Sequence, residues 1–211
     1  MANNVFGNPI TNETLEAMPE YYKKEITPRD RAHVAMLMKN AENKDHNARN
    51  HVESRKRDFG DGISALCVIY NATGDALKFI TTHDYHGHIY ADPYPTIIQN
   101  GQWAAFLHVK PSIITAGSSA AVVYRGKNQS GEQHDWMLAW SIPYIGDNHA
   151  YTEIRGADHY KESNNRWGTV SDKMGNTGLT HEDKWYQCVS YASIGNNTSP
   201  MFEGIMTLEG A

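Results

Sequence analysis

The chain has 211 residues, 40% of them hydrophobic and 20% charged, with a net charge of −5. A chain of that length buries about 70% of its unfolded surface, so one core forms without metal or disulfide staples. The acidic balance argues against general nucleic-acid binding, which needs a basic face against phosphates. Cys67 and Cys188 are too few for a disulfide framework and lie in apolar runs, as buried inert thiols would. No run approaches the ~18 apolar residues of a membrane span. The first residues lack the basic and apolar regions of a secretory signal, so a cytoplasmic location is expected.

Residues 27–57 read as a helix. Thr27 caps it, Pro28 suits the first helical position, and Asp30 completes a capping box. Val34, Met38, Ala41, Ala48 and Val52 make a thin apolar stripe that weakens after Ala41, so the helix is expected over 28–42 and to fade beyond. Arg49, Arg55, Lys56 and Arg57 read as a solvated face, with phosphate or headgroup contact as the alternative. From Ile63 onward, short β-rich runs alternate with turn residues. The candidate strands are 63–70, 76–81, 87–90, 96–99, 102–109, 119–125, 135–142, 149–155, 186–194 and 201–208. Asn100-Gly101 is a hairpin dipeptide. Short strands without intervening helices argue against a parallel α/β sheet and for a sandwich or barrel. Residues 156–185, rich in Gly, Asn, Asp and Lys, read as a long irregular stretch of the kind that is functional or mobile. The expected organisation is an N-terminal helical arm over 1–60 and a mainly β, two-sheet β-sandwich over 61–211.

The densest chemical cluster is His83, His86 and His88. On one strand His86 and His88 project from the same face, as two ligands of a tetrahedral metal must, with His108, His134 or His149 as a third from another strand. Eleven histidines make such clustering common, and imidazoles hydrogen-bonding near a turn are the plainer reading. There is no G-x-S-x-G elbow and no phosphate loop, nothing positions Cys188 with His181, and no cofactor is expected. Trp103, Trp136 and Trp140 fall within strands as core residues, the last two sharing a face with Leu138. Tyr90, Tyr94, Tyr144, Tyr151, Tyr160, Trp167, Trp185 and Tyr186 fall at strand ends or in loops. Aromatics with one wet edge suit sugar rings, choline groups or membrane interfaces.

The segment DWMLAWSIPY ending at Tyr144, between SAAVVYRG (119–126) and AYTEIRG (150–156), resembles the Ser-x-Pro-Tyr region of actinoporins and their fungal and plant relatives. The whole chain resembles the plant 23 kDa jasmonate-induced protein family, through THDYHGHI (82–89), NGQWAAFLH (100–108) and WSIPY (140–144). The resemblance implies an actinoporin-like sandwich that binds a phosphocholine-type lipid headgroup or a related carbohydrate at one end, with peripheral membrane contact. By position, Ser141 would hydrogen-bond the headgroup, Pro143 would shape the pocket, and Tyr144 would wall it. His149 and Tyr151 would stand in for the family's cation-facing rings. The loop from Ile145 lacks the family's aromatic cluster. Lys23, Lys24, Glu25, Arg29, Asp30 and Arg31 break the apolar face that an inserting helix needs, so pore formation is not expected. The reading is a non-enzymatic, stress- or defence-associated binding protein. The alternatives are a metal-dependent protein or enzyme using His83, His86 and His88, and a storage protein without a ligand.

Overall fold

The computed structural model describes residues 4–112, 115–161 and 164–211. One sheet comprises β1 (Val5–Phe6), β2 (Ser64–Ala72), β4 (His88–Tyr90), β6 (Trp103–Val109), β10 (Thr180–Trp185), β11 (Cys188–Ile194) and β12 (Met201–Leu208). Its order is β1-β6-β2-β12-β11-β10, with β4 also on β6. The second sheet runs β5-β3-β7-β8-β9, from β3 (Leu77–His86), β5 (Ile97–Ile98), β7 (Ser118–Lys127), β8 (Gln133–Ile142) and β9 (His149–Gly156). All pairings are antiparallel except β12 with β2. Every strand expected from the sequence is present within a few residues, in two sheets rather than a barrel.

Strict alternation along β8 explains the core. Trp136, Leu138, Trp140 and Ile142 point between the sheets, where Phe106, Phe202, Ile69 and Cys67 meet them. Cys67 and Cys188 are free and buried. Asn100 and Gly101 do turn the chain, with Gln102 N–H donating to the Gln99 carbonyl at 3.1 Å. They make no hairpin, however, because β5 and β6 belong to different sheets. Asn100 is instead a buried tie: its amide donates to the carbonyls of Ile10 and Arg31 and accepts from Gly74 N–H.

Three helices, α1 (Asn12–Glu16), α2 (Pro28–Leu37) and α3 (Lys44–Phe59), cover the outer face of the first sheet. Val34, Ala35, Ala48 and Val52 pack there on Leu66, Val68, Tyr70, Trp103 and Leu107. The arm also contributes β1 to the sheet itself. Thr27 and Asp30 form the expected capping box. The single helix does not continue through 42; it breaks at Met38, and Glu42 and Asn43 take positive φ of 57° and 55°. The polar run expected to fade is a 16-residue helix. Two contacts favour the break: Trp103 Nε1 donates to the Lys39 carbonyl and Lys44 Nζ to the Gly101 carbonyl. The basic residues of α3 are largely used internally, Arg49 against Glu203, Arg55 against Asp92, and Lys56 on the carbonyls of Gly60 and Gly62.

The 156–185 stretch, of which 162 and 163 lie outside the described residues, is not irregular throughout. It holds α4 (Asn164–Gly175) and β10. Glycines and asparagines lower helix propensity, yet Trp167, Val170 and Met174 recur at helical spacing and pack on Met137, Ala139, Val123 and Tyr151 of the second sheet's outer face. β10 seals the exposed edge of β9. His181 Nδ1 accepts from Thr152 N–H at 3.4 Å, and Asp183 Oδ2 from Ile154 N–H at 2.7 Å. Edge N–H groups met by side chains are protected from pairing with another chain.

Candidate ligand-binding end of the sandwich

At one end β2 begins at Ser64, β6 ends at Val109, β7 begins at Ser118 and β8 ends at Ile142. Beside these strand ends lies an open cavity of about 330 Å³ lined by Gly62, Ile63, Lys110, Ser112, Thr115, Ala116 and Tyr144. Its walls are held by backbone contacts. Lys56 Nζ donates to Gly60 and Gly62 carbonyls at 2.6 and 2.8 Å. A Cβ on Gly117 would come within 1.9 Å of the Ile142 carbonyl oxygen, so only glycine lets these segments meet. Asn148 Nδ2 clamps the far side of the β8–β9 turn by donating to the carbonyls of Gly195 and Asn197. Between these clamps Tyr144 and Ile145 stand out at 60% and 86% exposure. Lys110 supplies the cation, with one hydrogen bond, to the Pro111 carbonyl at 3.2 Å.

The residues expected from the family pattern divide into two groups. Pro143 and Tyr144 lie on this turn, half-buried and exposed respectively. Ser141 and His149 are half-buried cross-strand partners, and His149 Nδ1 lies 2.7 Å from the Thr177 carbonyl. Tyr151 is buried and does not line the cavity; its hydroxyl donates to Glu153 Oε2 at 2.8 Å. Lys110 and Ile145 were not singled out in the sequence. The signal available for Ile145 was an isolated aliphatic residue inside a polar turn.

Glu153 centres a network beneath α4. It accepts from the hydroxyls of Tyr151 and Tyr160 and pairs with Arg155 and Lys173. Burial alone would raise its carboxyl, but the two phenols and two cations outweigh burial and hold it below the usual value.

The three histidines do not all share a strand. His83 and His86 are on β3 of the second sheet and His88 starts β4 of the first, with Gly87 at φ +103° between them. His83 is stacked on Trp167 at 4.9 Å, while His86 and His88 are exposed. His134 lies at the opposite end of β8, and His149 is engaged as above. Among the described residues no group of three or more His, Cys, Asp or Glu is placed to hold a metal ion. His108 is fully buried between Ser118 Oγ, 2.8 Å from Nδ1, and Asp84 Oδ1, 3.3 Å from Nε2. A neutral ring with its proton on Nε2 donates to Asp84 and accepts from Ser118. Ser118 is itself fully buried, so its hydroxyl meets no substrate and the chain of bonds instead ties β6 to β7 and β3 across the sandwich.

Burial depresses His108, against the Asp84 charge, from the ordinary value of 6.5. The unfolded chain therefore takes up a proton near that pH that the native ring refuses. Stability is complete above pH 6.5 and declines as pH falls below it. His83 and His159, also lowered chiefly by burial, add to the same slope. We expect Tm to fall between about pH 7.5 and pH 5 and His108→Gln to flatten that fall partly; an unchanged slope would remove His108 from the account.

The architecture defines a helix-flanked, two-sheet β-sandwich with a loop-built cavity at one end. The chain belongs to the Nakanori-like protein family, whose model matches residues 6–209. It is 48% identical over 207 residues to the 23 kDa jasmonate-induced protein of Hordeum vulgare, covering 97% of this chain and 98% of that one. It is 35% identical over 80 residues to the jasmonate-induced protein homolog of Atriplex canescens, covering 38% and 42% of the two chains. The crystal structure of the lipid binding protein Nakanori matches with a TM-score of 0.86 at 26% identity, over 96% of this chain and 98% of that one.

Proposed function

We propose that the protein binds a phosphate-bearing lipid headgroup at this end of the sandwich, as a non-enzymatic component of a jasmonate-type stress or defence response. The observation that carries the reading is the exposed Tyr144–Ile145 tip beside a cavity lined by Lys110, Ser112 and Thr115. An exposed tyrosine next to an exposed isoleucine suits a bilayer interface, where the ring straddles wet and apolar layers and the aliphatic chain enters the acyl boundary. Lys110 then faces the phosphate and Tyr144 the headgroup's cationic part. The lipid-binding description of Nakanori and the induction named for the barley relative point the same way.

Sedimentation with phosphatidylcholine vesicles tests this reading. Burying one isoleucine is worth ~1.5–3 kcal/mol, so Ile145→Asp is expected to weaken vesicle binding about tenfold to hundredfold. Combined Lys110→Ala and Tyr144→Ala should lose it while leaving Tm nearly unchanged. Wild-type protein that binds neither zwitterionic nor anionic vesicles would sink the reading.

A further inference from the structure

The hairpin between β10 and β11, at the other end of the molecule, has a backbone that its own residues resist. Trp185 pairs with Cys188, so Tyr186 and Gln187 alone turn the chain, at φ +47° and +66°. Two consecutive left-handed residues make the tight hairpin turn for which Asn-Gly is the favoured pair. A tyrosine and a glutamine there are strained, and strain of this kind persists where surrounding structure enforces it. The core does not require the tyrosine, which is 60% exposed.

The ring is nevertheless held firmly. Trp185 lies edge-on to it at 4.4 Å, and His134 lies 5.7 Å away and also touches Trp185 at 5.3 Å. His134 is buried, with Nδ1 3.0 Å from the Glu132 carbonyl. The β7–β8 turn brings neutral polar groups alongside: Ser130 Oγ donates to Gln187 Oε1 at 3.4 Å, and Gln129 Nε2 to the Glu209 carbonyl at 2.7 Å. The Gln187 amide donors and the Gln129 amide oxygen have no protein partner among the described residues.

We propose that this tip is a second binding site, for a pyranose ring of a glycan, with Tyr186 as stacking platform and Gln187, Gln129 and Ser130 as partners for its hydroxyls. A sugar offers a C–H face to an aromatic ring and hydroxyls to amides, which is the chemistry assembled here. A quaternary ammonium needs rings on several sides, whereas Trp185 and His134 are the rings against Tyr186 among the described residues, and Tyr186 stays 60% exposed. A phosphate needs a free cation, and the nearby Lys184 is paired with Glu182 at 2.6 Å. His134 lies near the start of β8 and Tyr144 just beyond its end, so the 10-residue strand separates the two sites by about 30 Å. The glycan site is independent of the headgroup reading, and the two can be filled together.

The test is titration of the full chain, without vesicles, with lactose, N,N′-diacetylchitobiose and mannotriose, followed by tryptophan fluorescence and calorimetry. At least one sugar is expected to bind. Tyr186→Ala should weaken it about tenfold or more, Tyr186→Phe less than about threefold, and Tyr144→Ala not at all. Replacing the pair by Tyr186→Asn with Gln187→Gly is expected to raise Tm by about 2–4 °C, by relieving the turn, while abolishing sugar binding. The absence of binding by all three sugars at millimolar concentration overturns the proposal. So does undiminished binding in Tyr186→Ala or in the relieved hairpin.

Discussion

Replacing Glu153 with Ala is expected to destabilise the protein by about 3–5 kcal/mol, which lowers Tm by roughly 6–20 °C for a chain of this size. The carboxylate is 3% exposed and accepts from Tyr151 and Tyr160, which are 5% and 4% exposed. Its loss leaves two buried hydroxyls without their acceptor, at a cost of ~1–3 kcal/mol each. Arg155 and Lys173 are better placed to regain water, with side chains 28% and 46% exposed, so their unpairing adds less. Glu153→Gln keeps one acceptor oxygen and should fall between the two. Because the folded carboxyl is held below its ordinary value of 4.5, its contribution is complete above that pH and is lost as pH falls through the folded value. Urea unfolding of the two variants, with amide exchange across α4, measures both effects. A loss under about 1 kcal/mol in Glu153→Ala would show that α4 is held by its apolar stripe alone.

Trp140 should be a highly sensitive position between the sheets. It is fully buried against Phe106, His108 and Phe202, so Trp140→Ala is expected to cost about 3–5 kcal/mol through lost burial and the cavity left behind. Its indole Nε1 has no hydrogen-bond partner among the described residues. Trp140→Phe removes that unpaired donor along with part of the ring, and the two effects oppose each other. That variant should lose less than about 1.5 kcal/mol. A loss clearly above that bound in Trp140→Phe would show that the indole N–H is satisfied in the folded protein.

Much of the β architecture was legible in the residues. The alternation of Trp136, Leu138, Trp140 and Ile142 sets which face of β8 is buried, because period two is a property of the strand itself. The Thr27–Asp30 capping box was legible for the same local reason. Two elements with weaker local signals were missed. α4 has poor intrinsic propensity and is helical because Trp167, Val170 and Met174 gain a sheet face to bury on. The charged strand β10 finds its place by pairing with β11 and capping the edge of β9. The candidate site was legible only in part. Tyr144 could be picked out as a wet aromatic, whereas Lys110 became a site residue only once its loop met the β8–β9 turn.

The sequence by itself determined what depends on neighbours along the chain: strand alternation, the first helical cap, and the turn at Asn100-Gly101. Only the tertiary structure decided which sheet each strand joined, where the helical arm broke, and that His86 and His88 lie on different sheets. It also sent Tyr151 to Glu153 rather than to the cavity. The physical reason is that these outcomes turn on buried polar groups finding partners far away in sequence. Asn100 answers to Ile10, Arg31 and Gly74, and Glu153 to Lys173, and no local pattern encodes such distances.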